Sequence, residues 1–262
     1  MFSNASSSYR PSPHVAWSVH AQGMTIVRLA ADLLPCLFLP SCNVNMILPS
    51  SGFSALTETP ATVPEGRHAV ALSGSAGGPL QILGTEVSVS SNALAYTYGL
   101  SERSDLTISP IVQYYGDGSK HVAGFRHRDA YGFGGDARYK LQPFDTRNVA
   151  LYVGVGGVTN HYATFASASL GVTAGYTFEK FTPFVNVHGY VAHPFAATDV
   201  VLKTGERVHP SETFGAIVTT GLAYKFVPSF ELRGCLFGVG FVASKTHQTS
   251  VFAGGLSAHY TF

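Results

Sequence analysis

The sequence predicts an all-β protein whose strands cross a membrane as a closed, antiparallel, up-and-down barrel of ten strands. Three observations predict this class: apolar residues alternate with small or polar ones from about residue 67 onward, charged residues make up only 12% of the chain, and glycine (28), tyrosine (13) and phenylalanine (18) are abundant. Alternation with a period of two is typical of strands. Few charges and many aromatic residues suit strands that face lipid, with glycine where the wall curves.

Length and composition argue against several other classes. A chain of 262 residues fits one domain of about 200 residues preceded by a leader. The sequence contains no apolar run of the roughly 18 residues that a transmembrane helix requires. A chain that crosses a membrane as strands must close into a barrel, because lipid cannot satisfy an open sheet edge. The net charge of +1 gives no reason to expect a nucleic-acid partner, and nothing in the sequence predicts a cofactor.

The first 42 residues predict a disordered extension followed by an export signal. Residues 1–23 are rich in serine, proline and histidine, and Met24 is an alternative start. A short basic stretch and an apolar run follow, ending in Leu39-Pro40-Ser41-Cys42. This pattern resembles a bacterial lipoprotein signal, which implies acylation of Cys42. An ordinary cleaved secretory signal and the absence of any export signal remain alternatives.

Residues 43–66 predict a linker between the leader and the barrel. They contain Pro49, Pro60 and Pro64 and show no sustained alternation. The barrel domain is therefore predicted over residues 67–262.

Ten segments of this domain show strand-like alternation. Gly77-Gly78-Pro79 indicates a turn after the first of them, and Pro110 would remove a ladder hydrogen bond from the third. In the ninth segment apolar residues occur on both faces, and we assign the face with Leu232, Leu236 and Val242 to the outside. An eight-strand barrel is the alternative if residues 67–90 form a plug or an extension. The segments are 67–75, 86–100, 106–115, 131–141, 149–156, 167–178, 183–193, 213–226, 231–244 and 251–262.

The connections between these segments alternate in length. Short polar turns are predicted at 101–105, 142–148, 179–182 and 227–230, and mostly longer loops near 117–128, 160–165, 195–212 and 245–250. In transmembrane barrels the short turns are periplasmic and the long loops extracellular.

The last segment places aromatic residues on one face up to the final residue, Phe262. Phe252, Leu256, Tyr260 and Phe262 share this face. The pattern resembles the C-terminal insertion signal of small bacterial outer-membrane β-barrel proteins. The resemblance implies a location in the bacterial outer membrane, with outer-membrane lipids and the barrel-assembly machinery as partners. It does not indicate an oligomeric state.

Charged residues alternate with aromatic ones in the segment 131–141, which requires two different environments on the two faces. A wet lumen suits the charged face. These charges would either form salt bridges that hold the barrel shut or ring a small opening. Ten strands leave a narrow interior, which favours a plugged or very small channel. The predicted lumen-lining residues are Asp136, Arg138, Lys140, His188, Lys225 and His259, with Glu231 and Arg233 beside them.

Evidence for catalysis or metal binding in the sequence is weak. Six histidines fall in or beside the predicted outer loops, without a paired spacing typical of metal ligands. The longest loop contains Asp199, Glu206, His209 and Glu212, but no serine has a histidine at a suggestive spacing. We therefore expect a structural or surface-interaction role without catalysis. The alternatives are a narrow pore for small solutes and, third, a hydrolase at the rim.

Overall fold

The structure is a computed structural model that describes residues 56–82, 85–115, 122–124, 126–143, 147–244 and 248–262. Within these ranges ten antiparallel strands close into a barrel in the order β1-β12-β11-β10-β7-β6-β5-β4-β3-β2, and β8 and β9 pair separately. The strands are β1 (His68–Ile82), β2 (Thr85–Ser101), β3 (Ser104–Tyr115), β4 (Tyr131–Leu141), β5 (Val149–Thr159), β6 (Ala163–Gly175), β7 (Phe181–Ala197), β8 (Val200–Val201), β9 (Arg207–Val208), β10 (Thr213–Val227), β11 (Phe230–Ser244) and β12 (Gln248–Thr261).

The outer face of the barrel is apolar. Alternate residues point outward, and large side chains such as Leu72 (64% exposed), Phe133 (62%) and Val155 (65%) have no protein cover. Water would penalise so much exposed apolar surface, whereas the hydrocarbon core of a bilayer accepts it. The predicted fold class, a membrane-spanning antiparallel barrel of ten strands, is confirmed.

In the part of the chain that the structure describes, no helix has the length and apolar character needed to cross a membrane.

The barrel has two unlike ends. One end, called here the short-turn end, carries the turns 102–103, 142–148, 176–180 and 228–229, together with the first residue of β1 and the last of β12. The opposite end, called the loop end, carries connections of 116–130 and 198–212. The other three connections at the loop end are only two or three residues long (83–84, 160–162 and 245–247). Longer loops at this end are therefore found at two of the five connections.

The first hairpin corrects the predicted turn at Gly77-Gly78-Pro79. These residues lie within β1, which continues to Ile82, and the pairing with β2 shifts register between Gly77 and Leu80. A bulge tolerates a proline because it interrupts the ladder where the missing N–H would otherwise be needed. Pro110 also lies where a ladder is interrupted, although without a shift of register. The pairs Tyr96–Ile108 and Ala93–Ile111 are in the same register, and the β2–β3 ladder is interrupted between them.

Strand β11 changes face partway along. Its pairing with β12 shifts between Cys235 and Gly238, so Leu236 and Phe237 are both exposed. Beyond the bulge, Val242 is fully buried inside, and the partly exposed Val239 and Phe241 lie on the opposite face. The outward assignment of Val242 was wrong, because strict alternation cannot describe a strand that contains an extra residue.

Candidate functional site

The lumen contains a part of the chain that precedes the barrel. Residues 56–66, called here the luminal segment, precede β1 and form no strand. The Thr219 hydroxyl on β10 donates to the Leu56 carbonyl (3.3 Å), and Ser257 on β12 donates to the Thr57 hydroxyl (2.9 Å). The Thr173 hydroxyl on β6 donates to the carbonyl of Glu58 (3.0 Å).

Nearer the short-turn end the same segment contacts another part of the wall. The Gln142 amide donates to the Pro60 carbonyl (2.7 Å), and the Val63 amide donates to the Asp105 carboxylate (2.9 Å). Because the partners come from strands around the barrel, the segment lies inside it. Residues 56–66 were part of the predicted linker, and the pattern of the sequence gave no indication that they enter the lumen.

A cluster of ion pairs surrounds Glu58. Its Oε1 lies 2.7 Å from Arg138 Nη1, and its Oε2 lies 3.3 Å from Lys140 Nζ. Both cations have a second partner on the wall: Asp136 lies 3.3 Å from Arg138, and Asp105 lies 3.6 Å from Lys140. All five side chains are at least 85% buried, so none can lose its partners without leaving a charge in a poorly hydrated interior.

Strand β4 carries this cluster because its residues alternate. Asp136, Arg138 and Lys140 point inward, while Phe133 and Tyr139 point to the lipid side. The neighbouring strand makes room for them. A Cβ at Gly154 would lie 2.7 Å from Arg138 Cγ, and one at Gly156 would lie 2.9 Å from Asp136 Cβ. Glycine on β5 thus allows the long charged side chains of β4 to enter the lumen.

Next to this cluster, an aromatic and polar network fills the wall of β5 to β7. The Tyr152 hydroxyl donates to Asn186 Oδ1 (2.7 Å) and lies 3.2 Å from His188 Nδ1. All three side chains are buried. The Tyr152 ring lies over Gly171, where a Cβ would be 2.1 Å from the ring. His188 is therefore a hydrogen-bonded interior residue and does not face open solvent.

An apolar layer lies at the inner tip of the luminal segment. Leu56 (1% exposed) packs into one buried cluster with wall residues from β2, β3, β7, β10, β11 and β12. A second buried cluster, Val158, Ala163, Phe165 and Ala192, lies on β5, β6 and β7. The two clusters together line most of the circumference of the barrel. The wall residues packed with Leu56 are Val89, Tyr115, Tyr190, Ile217, Cys235, Val242 and Val251.

A cavity of about 520 Å³ lies between the luminal segment and the wall. Small inward residues on β1 and β2 line one side of this space. Exposed turn residues Glu102, Arg147 and Pro228 also line it, so the cavity opens at the short-turn end. The small residues are Ala69, Ala71, Ser73, Ala93, Ala95 and Thr97.

The structure places the predicted lumen-lining residues as follows. Asp136, Arg138, Lys140 and His188 are buried in the interior. Lys225 and His259 line the cavity near its mouth, and His259 lies 2.9 Å from the Ser257 hydroxyl. On the outer face, Phe252, Leu256, Tyr260 and Phe262 are about half exposed, as residues of a lipid-facing strand would be. Cys42 lies outside the described residues.

Sequence reasoning missed Glu58, the residue at the centre of the ionic cluster. A signal for it existed in the charge balance of the predicted lumen. That set held four cations (Arg138, Lys140, Lys225 and Arg233) but only two acids (Asp136 and Glu231). Buried cations require acidic partners, and two acids, Asp105 and Glu58, supply them in the structure.

At the loop end, three histidines contact carboxylates. His161 lies 3.6 Å from Asp129, while the other two pairs, His193–Glu212 (2.8 Å) and His209–Asp199 (2.9 Å), have all four side chains about half exposed or more. The pairs share no residue, and among the described residues no group of three or more His, Cys, Asp or Glu could hold a metal ion.

Tyr162, beside His161 in the connection 160–162, has a shifted pKa. Burial and the Asp129 carboxylate raise its pKa to about 12, so it stays protonated at neutral pH and is unsuited to act as a general base.

Comparisons with known proteins extend no further than the architecture. The sequence matches no protein-family model and none of the curated proteins. The structure is similar to LpxR from Salmonella typhimurium (10% identity, TM-score 0.44, covering 73% of this chain and 99% of that one). It is also similar to an outer membrane channel from Pseudomonas putida F1 (12%, 0.42, 77% and 97%). A third similar structure is the N-terminal β-barrel domain of Pseudomonas aeruginosa OprF (10%, 0.36, 76% and 98%).

Independently of these comparisons, the chain has the fold of a closed membrane-spanning β-barrel, and its predicted outer-membrane location agrees with that fold and with the apolar outer face.

Proposed function

We propose that the protein is an outer-membrane barrel with a structural or surface-interaction role, without catalysis, whose lumen is closed by its own luminal segment. The observation that carries this proposal is the position of residues 56–58. Leu56 is buried in the apolar layer, and Glu58 is held by Arg138 and Lys140. An open pore requires a continuous wet path, and here a packed apolar cluster stands in that path.

The second candidate is a narrow pore for small solutes. The cavity of about 520 Å³ favours it, because this space already connects the ionic cluster with the short-turn end. The luminal segment and the Leu56 layer argue against an open path in this conformation. Transport would require the segment to leave.

The third candidate, a hydrolase at the rim, has less support. The three His–carboxylate pairs of the described loops share no residue. Hydrolysis by acid–base catalysis needs such groups to converge on one substrate atom.

A conductance measurement tests the closed-lumen proposal. The refolded chain is inserted into a planar bilayer, and its insertion is verified by the heat-modifiable gel mobility typical of folded barrels. We expect a silent membrane at moderate voltage. Steady, uniform current steps from the unmodified chain would favour the pore and reject the closed lumen.

We further propose that Cys42 is acylated and that outer-membrane lipids and the barrel-assembly machinery are the partners of the chain. The Leu39-Pro40-Ser41-Cys42 sequence supports the acylation. Cys42→Ser should abolish labelling by a palmitate analogue in cells, whereas Cys36→Ser, the matched control in the same leader, should keep it. Equal labelling of the Cys42→Ser variant and the unmodified chain would reject a lipid anchor at this position.

A further inference from the structure

We propose that Arg138 and Lys140 form a binding site for a carboxylate, and that Glu58 is its internal occupant. A small carboxylate solute that enters from the short-turn end would take the same position when the luminal segment is displaced. This inference rests on the proposed closed lumen, because it gives the segment a site that another molecule can occupy.

The geometry of the cluster is that of a carboxylate receptor. Each oxygen of Glu58 faces a different cation, Oε1 at 2.7 Å from Arg138 Nη1 and Oε2 at 3.3 Å from Lys140 Nζ. Charge-assisted hydrogen bonds of this kind are stronger than neutral ones, and a planar two-oxygen group fits them. Both of these ion pairs are made to the carboxylate group of Glu58.

The two cations stay in position without Glu58. Asp136 lies 3.3 Å from Arg138, and Asp105 lies 3.6 Å from Lys140. Gly154 leaves the space in which the Arg138 side chain lies. Because these contacts belong to the wall alone, removal of Glu58 should leave a preformed site and not a collapsed one.

The charge of the wall also favours an anion. Among the described residues, four cations on the strands of the wall face the lumen, together with three acids on the same strands or their neighbours. Glu58 supplies a fourth negative charge to this set. Without Glu58 the set has one unpaired positive charge, which an anion from solution can neutralise. The cations are Arg138, Lys140, Lys225 and Arg233, and the acids are Asp105, Asp136 and Glu231.

A solute can reach the site from the short-turn end. Glu58, Arg138 and Lys140 line the same cavity of about 520 Å³ as Glu102 and Ser229 at its mouth. One water occupies about 30 Å³ in the liquid, so the cavity accommodates a small carboxylate and its hydration shell. The path from the mouth to the two cations does not cross the Leu56 layer.

The luminal segment is held by separate contacts and not by a strand ladder. Residues 56–66 contain no strand. Their last residue, Gly66, donates a backbone hydrogen bond to Gly99 of β2 next to the start of β1, and deeper in the lumen the wall holds the segment through side-chain bonds such as those of Gln142 and Thr173. A segment bound in this way can leave without breaking the closed sheet, which pairs through all ten strands.

Chemical rescue tests the proposal. The full chain with Glu58→Ala is refolded in detergent micelles, and its melting temperature is compared in sodium acetate and in sodium chloride at equal ionic strength. We expect the variant to melt roughly 10 °C lower than the unmodified chain in chloride, because two buried cations lose a shared partner. Acetate should restore at least half of that loss.

The matched control is Glu65→Ala, which removes an exposed glutamate of the same segment at the mouth of the same cavity. This variant should melt like the unmodified chain in both salts. The double variant Glu58→Ala/Lys140→Met should lose the acetate effect, since one of the two cations that hold the carboxylate is gone.

Three results would overturn the proposal: an unchanged melting temperature for Glu58→Ala, an acetate effect of equal size in Glu58→Ala and Glu65→Ala, or an undiminished effect in the double variant. If Glu58→Ala does not refold in chloride, the refolded fraction becomes the readout, and failure to refold in acetate as well also overturns it. The rescue experiment does not measure conductance. The carboxylate site can therefore be rejected by the rescue experiment while the closed lumen is supported by a silent bilayer. Equally, current steps can reject the closed lumen while acetate rescue supports the site.

Discussion

At the scale of single residues, the distance to neighbouring atoms inside the lumen determines whether a position can carry a side chain. Gly154 illustrates this: a Cβ there would lie 2.7 Å from both Arg138 Cγ and Ser169 Oγ. Arg138 cannot retreat easily, because it is buried and tied to Glu58 and Asp136. The position of Arg138 on β4 thus depends on the absence of a side chain at Gly154 on β5.

The first prediction follows from this crowding. Gly154→Ala should destabilise the refolded barrel by about 1–3 kcal/mol, as overpacking of a closely packed interior does. The measurement is urea unfolding in lipid vesicles. Gly189→Ala is the control, because the nearest atom to a Cβ at Gly189 is 3.8 Å away. Equal stability of the two variants would show that Arg138 moves aside freely.

At the scale of elements, each strand separates lipid from lumen by alternation. On β4, Phe133 and Tyr139 are exposed to the outside, while Arg138 and Lys140 are buried within. Ala137 lies between the inward-facing Asp136 and Arg138, on the outward register. An outward position in mid-strand meets the hydrocarbon region, where a charged side chain is costly.

The second prediction tests this division on β4. Ala137→Arg should lower the free energy of unfolding in vesicles by about 2–4 kcal/mol, the cost of a cation on the lipid face near the bilayer midplane. Ala123→Arg, at an exposed residue of the loop end, should change stability by less than about 0.5 kcal/mol. A tolerated arginine at position 137 would mean that this face does not meet lipid.

The third prediction concerns β12. Replacing Tyr260 and Phe262 together with serine should reduce the amount of folded barrel in the outer membrane, because these residues carry the proposed insertion signal. Tyr176 and Phe178 make a matched control pair, since they are also exposed aromatics two residues apart at the short-turn end. The amount of heat-modifiable barrel in membrane fractions gives the readout. Equal loss in both double variants would show that these aromatic residues act through lipid contact in general and not as an insertion signal.

Alternation explains which elements could be predicted from the sequence. It located all ten strands of the barrel, because one apolar face repeats in each of them. It failed at two bulges, in β1 near Gly77 and in β11 near Cys235, where an irregularity shifts the register. Val242 was assigned to the wrong face for this reason.

At the scale of the whole molecule, strand number and the luminal segment belong together. A closed barrel of ten strands, spaced about 4.8 Å apart and tilted by about 40°, has a backbone radius of about 10 Å. Inward side chains can fill a barrel of about eight strands. A wider barrel has space left at its centre, and residues 56–66 occupy part of it.

The position of this segment was beyond prediction from the sequence. Residues 56–66 have neither helical nor strand periodicity, and Thr57 and Glu58 contact residues between 80 and 200 positions later in the chain. Local patterns contain no information on such distant contacts. Only the excess of cations over acids in the predicted lumen pointed to a missing carboxylate.

A disulfide between the luminal segment and the wall tests whether the segment lies inside the barrel. The hydroxyls of Thr57 and Ser257 are 2.9 Å apart, so cysteines at these two positions can form a disulfide without large movement. The variant Thr57→Cys/Ser257→Cys is prepared with the native cysteines replaced by serine, refolded and oxidised. A control variant pairs Thr57→Cys with Thr164→Cys, an exposed residue at the loop end.

We expect mass spectrometry to find the linked 57–257 peptide in the first variant and no linked peptide in the control. Absence of the 57–257 link, together with ready alkylation of the introduced thiol at position 57 by a bulky water-soluble maleimide, would contradict a lumen occupied by the luminal segment.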